Sequence, residues 1–325
     1  MYGVSEYQRP FRLQRSELAV PATSERFFAK AAQGPADSIF LDLEDAVAPS
    51  RRIEARANAV RALEEVNWGS KAVSVRVNGL GTPWALSDIL AVARCQRLDM
   101  ILLPKVESSE DVVFLDRLLS CIESEHSRER RLGIEVLIET TKGLANVESI
   151  AAASRRLEGM IFGVGDYSIE LENFDTEFGA SSPDYAVLAR ERGVTPALHW
   201  NDQWHFALAR IANACRAHGL RPIDGPFANY SDSEGYVASC RRARALGFEG
   251  KWAIHPSQVE PANREFSPRE AQIAWARDIS SKMEEAAHKG VGAIGLEGVL
   301  IDRAHVTLAQ KILRRAERIT QGRQP

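Results

Sequence analysis

The stretch 134-IEVLIETTKGLANVESIAAASRRLEGMIFGVGD-166 decides the fold. It holds two short apolar runs, IEVLI ahead of Glu139 and MIFGV ahead of Asp166, and each delivers one carboxylate at its C-terminal end. Roughly 20 residues of helix-like sequence lie between them, the spacing of neighbouring strands in a βαβ unit. Taken singly, either acid reads as a helix cap or a loop residue. Side by side at one end of a parallel sheet, the two would repel each other and raise a pKa unless a cation sits between them. The pair in register therefore points to a divalent metal site, with Glu139 and Asp166 as ligands. Mg²⁺ suits it, because that ion takes one or two protein carboxylates and fills its other positions with water and substrate oxygens.

Working outward, apolar and β-branched runs alternate with helical patterns at Leu18–Pro21, Ser38–Leu43, Ala72–Val77, Met100–Pro104, Ile134–Ile138, Met160–Val164, Leu220–Ile223 and Lys251–Ile254. Eight β/α repeats in about 265 residues predict a TIM (β/α)8 barrel, with a doubly wound open sheet as the alternative. In VSVRVN, Val73, Val75 and Val77 share one face while Ser74, Arg76 and Asn78 share the other. The polar set should point into the barrel or its mouth. A guanidinium there needs an anion, because an uncompensated buried charge is costly. For Arg76 that anion is either a structural carboxylate or a substrate.

The composition, 45% hydrophobic and 26% charged with a net charge of −3 over 325 residues, is that of a globular chain. It offers no basic surface for nucleic acid. The N-terminus lacks an apolar signal core and no run approaches a membrane span, so a cytoplasmic address is expected. Cys95, Cys121, Cys215 and Cys240 are widely spaced and read as reduced structural thiols. A long segment follows Asp166 and suggests a cover over the site or an oligomer contact. Its HWNDQWH cluster could ligate metal through His199 and His205, but reads better as aromatic packing at a helix start capped by Asn201 or Asp202. Beyond Pro256 the pattern changes: SPREAQIAWARDISSKMEEAAHKG predicts a helix opened by Ser267 and Pro268, a glycine-broken segment follows, and AHVTLAQKILRRAERI predicts a last helix. The domains are thus a catalytic barrel over 1–265 and a helical extension over 266–325.

Several stretches together, RSELAVPATSERFFAKA, FLDLEDAVAP, SVRVNGL, LLPKVE, IET, GVGDY, RPIDGPFANYSD and GKWAIHPSQV, occur in an order that resembles the citrate-lyase-β-like group of the HpcH/HpaI aldolase superfamily, and within it the malyl-CoA lyases. The resemblance runs from about residue 15 to 318. It implies a TIM barrel whose C-terminal extension covers a neighbouring subunit's active site, in a homotrimer or homohexamer. The implied reaction is reversible C–C cleavage of (S)-malyl-CoA to acetyl-CoA and glyoxylate, and of β-methylmalyl-CoA to propionyl-CoA and glyoxylate. Coenzyme A would be part of the substrate, and Mg²⁺, or Mn²⁺ in its place, the cofactor.

By motif, the resemblance implies Glu139 and Asp166 as metal ligands, Arg76 against the reacting oxygens, and Asp302 as the acid/base supplied across a subunit interface. Read alone, Asp302 is an exposed helix cap before Arg303. Glu44 and Asp45 of LEDAV would orient Arg76 or metal-bound water. Lys30, Gly165, Asp166, Ile254 and His255 would meet coenzyme A. The first turn departs from the family pattern, with Ala22 in place of a glycine and Ser24 where relatives carry arginine, so Arg26 is the candidate substitute. The alternatives within the superfamily are a malyl-CoA thioesterase and a citramalyl-CoA or citryl-type lyase. A citrate-lyase-type subunit that needs an acyl-carrier partner, and a non-catalytic scaffold, are further readings.

Overall fold

In the computed structural model, which describes residues 7–182, 184–189 and 197–321, all eight apolar runs are strands. Six come first: β1 (Ser16–Pro21), β2 (Ser38–Asp42), β3 (Ala72–Arg76), β4 (Met100–Leu103), β5 (Gly133–Ile138) and β6 (Leu157–Phe162). A hairpin of β7 (Ala186–Ala189) and β8 (Ala197–Trp200) intervenes before β9 (Arg221–Asp224) and β10 (Gly250–Ala253). The parallel strands close in the order β1, β2, β3, β4, β5, β6, β9, β10, with β10 pairing back onto β1, so the sheet is a barrel and the open-sheet alternative is excluded.

The helices of the described residues are α1 (Phe28–Gln33), α2 (Arg52–Glu65), α3 (Ala85–Ala93), α4 (Ser109–Glu125), α5 (Thr141–Ala145), α6 (Val147–Ala151), α7 (Val164–Glu170), α8 (His205–Ala217), α9 (Ser233–Ala245), α10 (Val259–Glu265), α11 (Glu270–His288) and α12 (Arg303–Gln321). Among the described residues no helix is long and apolar enough to cross a membrane.

Strand alternation sorts the lumen into layers. The middle layer is apolar: Phe40, Leu102, Leu137, Ile161, Ile223 and Trp252 form one buried cluster. Toward the N-terminal ends of the strands the lumen is charged and largely buried. There Gln14 Nε2 donates to Glu135 Oε1 at 2.7 Å, Trp252 Nε1 donates to Glu17 Oε2 at 2.8 Å, and Arg221 pairs with Glu158 at 3.0 Å. The preceding segment is pinned beneath this layer by Arg12, which pairs with Asp99 and Glu158 at 3.1 and 2.9 Å. Toward the C-terminal ends stands a second charged layer, which includes Asp42 and Arg76.

Two elements differ from expectation. The strand before Asp166 stops at Phe162, and Asp166 lies in the first turn of α7, where a carboxylate is favoured by the helix dipole. Asn78 lies past the end of β3, and its amide donates to Asp88 of α3 at 2.6 Å and to the carbonyl of Leu43 at 3.1 Å. The alternation that carries Ser74 and Arg76 inward therefore ends with the strand. Aromatic packing does open α8: Trp204 is buried beside Phe162 and Tyr167, but Trp204 itself holds the capping position with no side-chain cap, so neither Asn201 nor Asp202 is the cap, and Asp202 Oδ1 only accepts the Trp204 backbone N–H at 3.1 Å ahead of the helix. The side chain of His199 lies outside the described residues.

The chain divides into two compact units, one ending at Asn263 and the other beginning at Arg264. In the second, α11 starts at Glu270, later than Ser267 and Pro268 suggested. Arg269 is the capping position, because its N–H is taken by Gln272 Oε1 at 2.9 Å. The glycine-broken segment is a tight hairpin of β11 (Ile294–Leu296) and β12 (Val299–Ile301). Both loop residues have positive φ, Glu297 at 50° and Gly298 at 81°, as a type I′ turn requires.

Candidate active site

The register of the barrel builds the centre of the site. Asp42 ends β2, Arg76 ends β3, and the two are direct partners across the parallel pair. Arg76 Nε and Nη2 donate to the two oxygens of Asp42, both at 2.7 Å, while Nη1 reaches Asp45 Oδ2 at 3.0 Å and stands 3.4 Å from Glu44 Oε2. The guanidinium lies over the rings of Phe40 and Trp252, at 5.7 and 5.5 Å, on top of the apolar layer. Burial alone would lower its pKa, but Asp42, helped by Glu44 and Asp45, raises it and keeps it charged. The same pairing overrides burial at Asp42 and holds its pKa below the ordinary value. Of the two anions the sequence allowed, the structural one is thus present. Three short bonds use three of five N–H groups and leave the fork able to meet a further oxygen.

Asp42 is the partner that sequence reasoning missed, since Glu44 and Asp45 were the expected orienting acids. Both do reach Arg76, yet only Asp42 grips it bidentately. The signal was legible: FLD and VSVR each place a charged residue at the last strand position, and in-register parallel strands bring such positions together.

Glu139 follows directly on β5, where Thr140 caps α5 by accepting the N–H of Gly143 at 2.9 Å. Its carboxylate packs on Gly163, where a Cβ would stand 2.3 Å from the Glu139 Cβ and 2.6 Å from Oε2, so only glycine fits. Burial, then the charge of Glu44, push the Glu139 pKa up to about 8, against the pull of Lys105 and Arg76. Burial also raises Glu44, with Arg76 opposing.

Lys105 is a second residue that went unassigned, although it stands in LLPKVE. Its Nζ lies 2.8 Å from Glu44 Oε1, 2.8 Å from Asp166 Oδ2 and 3.8 Å from Asp45 Oδ1. Its backbone N–H donates to Glu139 Oε1 at 2.8 Å. To do both, Lys105 adopts a φ of 53°, uncommon for a residue that carries a side chain. No periodicity marks such a position, because the conformation is imposed by tertiary partners.

The cluster has the donor chemistry a hard divalent cation requires. Its ligating atoms are all oxygens, and the carboxylates Asp42, Glu44, Asp45, Glu139 and Asp166 outnumber the cations Arg76 and Lys105. Glu44 Oε2 and Asp166 Oδ2 are buried yet accept no well-directed hydrogen bond. Among the described residues no group of three His, Cys, Asp or Glu side chains forms a closed metal cage. The arrangement fits an ion that takes two carboxylates and leaves positions open, as Mg²⁺ does.

The other candidates stand elsewhere on the rim or in the second unit. Ser24, Arg26 and Lys30 follow β1; Ser24 N–H donates to Pro21 O at 2.9 Å, and Arg26 lies exposed over the ring of Phe27 at 4.7 Å. Ala22 is fully buried, its carbonyl accepting from Asn58 at 3.0 Å. Gly165 stands beside Asp166 in α7. Ile254 and His255 follow β10, the neighbour of β1, and His255 stacks on Tyr230 at 4.6 Å. All of these lie beyond the C-terminal ends of barrel strands.

Asp302 belongs to the second unit, where its carboxylate accepts the N–H of Ala304 at 2.9 Å and meets His305 Nδ1 at 2.9 Å, capping α12. Within this chain the side chain is 50% exposed, and His305, with the Ala304 N–H, lowers its pKa.

A closed parallel barrel whose charged, oxygen-rich centre lies past the C-terminal strand ends defines an enzyme of the TIM-barrel class. A family model described as HpcH/HpaI aldolase/citrate lyase matches residues 15–256, a span that runs from the residue before β1 to just past β10. The chain belongs to the HpcH/HpaI aldolase/citrate lyase family. It is 43% identical over 310 residues to the L-malyl-CoA/β-methylmalyl-CoA lyase of Rhodobacter capsulatus, covering 95% of this chain and 96% of the relative. It is 36% identical to the (3S)-malyl-CoA thioesterase of Cereibacter sphaeroides, over 94% and 95% of the two chains. Among solved structures it is similar to CitE from Mycobacterium tuberculosis in complex with magnesium, acetoacetate and coenzyme A, with a TM-score of 0.70, 28% identity, and coverage of 94% and 98%.

Proposed function

We propose that this chain is a Mg²⁺-dependent C–C lyase that reversibly cleaves (S)-malyl-CoA to acetyl-CoA and glyoxylate, and β-methylmalyl-CoA to propionyl-CoA and glyoxylate. The observation that carries the reading is the meeting of a fixed, bidentately held Arg76 with Glu139 and Asp166 at one barrel mouth. Higher identity to the lyase than to the thioesterase, over nearly the same coverage, favours bond cleavage between carbons over hydrolysis.

Glu139 and Asp166 would hold the ion, Mg²⁺ or Mn²⁺ in its place. When bound, it polarises the hydroxyl of the 2-hydroxy acid or, in reverse, the glyoxylate carbonyl. Arg76 presents its remaining N–H groups where negative charge develops as the carbon–carbon bond breaks. Because Asp42 already fixes it, no reorganisation is needed at the moment of reaction. Cleavage releases the hydroxyl proton to solvent as the hydroxyl becomes the glyoxylate carbonyl, and leaves the electron pair on the thioester α-carbon as an enolate. The carboxyl group of Asp302 returns a proton there, and its carboxylate removes that proton in condensation. Coenzyme A would lie along Ser24, Arg26, Lys30, Gly165, Ile254 and His255, all on the same rim.

In this reading residues 1–265 are the catalytic barrel. The extension, 266–325, carries Asp302 to a neighbouring subunit of a cytoplasmic homotrimer or homohexamer. The test is mass spectrometry of the products formed from glyoxylate with acetyl-CoA or propionyl-CoA, in Mg²⁺ and then in EDTA. Metal-dependent malyl-CoA or methylmalyl-CoA supports the proposal. Free coenzyme A and malate from supplied malyl-CoA, with no glyoxylate, would replace it with a thioesterase.

A further inference from the structure

The cation that faces both Glu44 and Asp166 is a side chain. Lys105 places its Nζ 2.8 Å from an oxygen of each, and its own backbone N–H holds the remaining candidate ligand, Glu139, at 2.8 Å. One residue thus orients both carboxylates of the metal site, the first through its main chain and the second through its ammonium. The backbone conformation that permits this, with φ at 53°, is held by those contacts. Paired with two carboxylates at 2.8 Å, the ammonium stays charged.

We propose that Lys105 is a positioning residue that sets the divalent-cation affinity of this site, its ammonium competing with the incoming ion for Asp166 while its main chain keeps Glu139 in place. The proposal rests on the reading of Glu139 and Asp166 as metal ligands. Its direction follows from charge. Arg76 is held by Asp42 and Asp45 and also faces Glu44 at 3.4 Å, whereas Asp166 is paired with Lys105. Taking away its charge leaves the main-chain bond to Glu139 intact and makes the potential at the ligand oxygens more negative, which a doubly charged ion feels twice over. Because the lysine side chain is 41% exposed, solvent screens part of this, and the expected gain is about tenfold rather than several orders of magnitude. Functionally, the lysine would keep the protein alone a modest binder, so that the ion is held firmly only when substrate oxygens complete its shell.

The experiment is a Mn²⁺ titration followed by the electron paramagnetic resonance signal of the free ion, on purified full-length protein at fixed pH. Wild type, Lys105→Met, Lys105→Gln, Lys105→Arg and the double variant Glu139→Gln/Asp166→Asn would be compared, with melting temperatures taken with and without Mn²⁺. The proposal expects Lys105→Met, or Lys105→Gln should the first fold poorly, to bind Mn²⁺ about tenfold tighter than wild type and to gain more in melting temperature from the ion. Lys105→Arg, which restores the charge, should return to within about threefold of wild type. Unchanged or weaker binding in the neutral variants, while the double variant loses the ion, would overturn the role of Lys105 and leave the ligand assignment standing. Wild-type binding by the double variant would overturn both.

Discussion

Asp42→Asn is the substitution that most sharply separates a fixed Arg76 from one that is merely nearby. Both carboxylate oxygens of Asp42 are fully used: Oδ1 accepts from Arg76 Nε at 2.7 Å and from the Glu44 N–H at 3.0 Å, and Oδ2 accepts from Arg76 Nη2 at 2.7 Å and from the Ala46 N–H at 3.1 Å. An asparagine has one acceptor oxygen, so whichever way it turns, its NH2 faces two donors. Two buried donors left unsatisfied cost about 1–3 kcal/mol each, or about 2–5 kcal/mol together once partial relaxation is allowed. At an unfolding entropy of about 2.1 cal/mol/K per residue, that is a fall in Tm of about 3–7 °C for a chain of 325 residues. Because pairing lowers the Asp42 pKa, its contribution is present above the ordinary carboxylate pKa and is lost as pH falls through the lowered folded value. The gap between variant and wild type should therefore narrow in acid. The same loss of alignment should reduce kcat by about 100-fold, the scale of effect for a catalytic group displaced by about 1 Å. Calorimetry at pH 7 and at pH 3, with steady-state cleavage assays, measures both. A variant with wild-type Tm and wild-type kcat would refute the claim that Asp42 holds the guanidinium.

Three other outcomes are expected. Glu17→Gln should stabilise the barrel at alkaline pH by about 1–3 kcal/mol, because its amide can donate to the buried and unsatisfied Glu135 Oε2. Burial and the charge of Glu135 raise the Glu17 pKa, so wild type is most stable below the ordinary value of 4.5 and loses that contribution as pH rises, and melting curves at pH 4.5 and 8.5 should diverge in favour of the variant. Gly163→Ala should weaken Mn²⁺ binding at least tenfold and destabilise by about 1–3 kcal/mol, since its Cβ would intrude 2.3 Å from that of Glu139; undiminished Mn²⁺ binding in a titration would contradict the packing argument. Asp302→Ala should abolish condensation and the exchange of acetyl-CoA methyl protons with D2O while Mn²⁺ binding and oligomer size stay as in wild type. NMR of the methyl group reads this directly, and exchange at the wild-type rate would exclude Asp302 as the base.

The barrel was legible because eight short apolar runs spaced by helical patterns carry a period that no open-sheet arrangement of this length needs, and each run became a strand within three residues of its expected bounds. The carboxylates of the mouth were legible for the same reason, since strand ends are where parallel barrels gather polar side chains. What escaped were features made by tertiary geometry. Lys105 bridges acids that follow β2 and β5 and one in α7 by means of a positive φ that its own sequence neighbourhood does not demand. The β11–β12 hairpin was hidden because the glycines in VGAIGLEGVLIDR suggested a broken coil, when only Glu297 and Gly298 make the turn. The start of α11 was misjudged because Ser267-Pro268 is a strong helix-opening signal, and the Gln272 side chain outcompeted it by capping the N–H of Arg269.

The two cations of the mouth are held in opposite ways, and this divides their work. Arg76 is 7% exposed, gripped by two bonds of 2.7 Å, and backed by two aromatic rings that are themselves part of the apolar layer, so moving it would disturb the barrel core. Lys105 has a side chain 41% exposed, anchored only at its ammonium, on a stem with four rotatable bonds that solvent can receive. A fixed charge serves a transition state, because it stabilises developing anionic charge without first having to reorient. An exchangeable charge serves a ligand that comes and goes, because it can yield its carboxylate and take it back. The buried polar layer beneath the rings adds a further constraint. With Glu17 and Glu135 separated from the mouth by Phe40, Leu137 and Trp252, their protonation can change with little effect on Arg76, so substitutions in the lower layer should move stability alone and those in the upper layer should move chemistry as well.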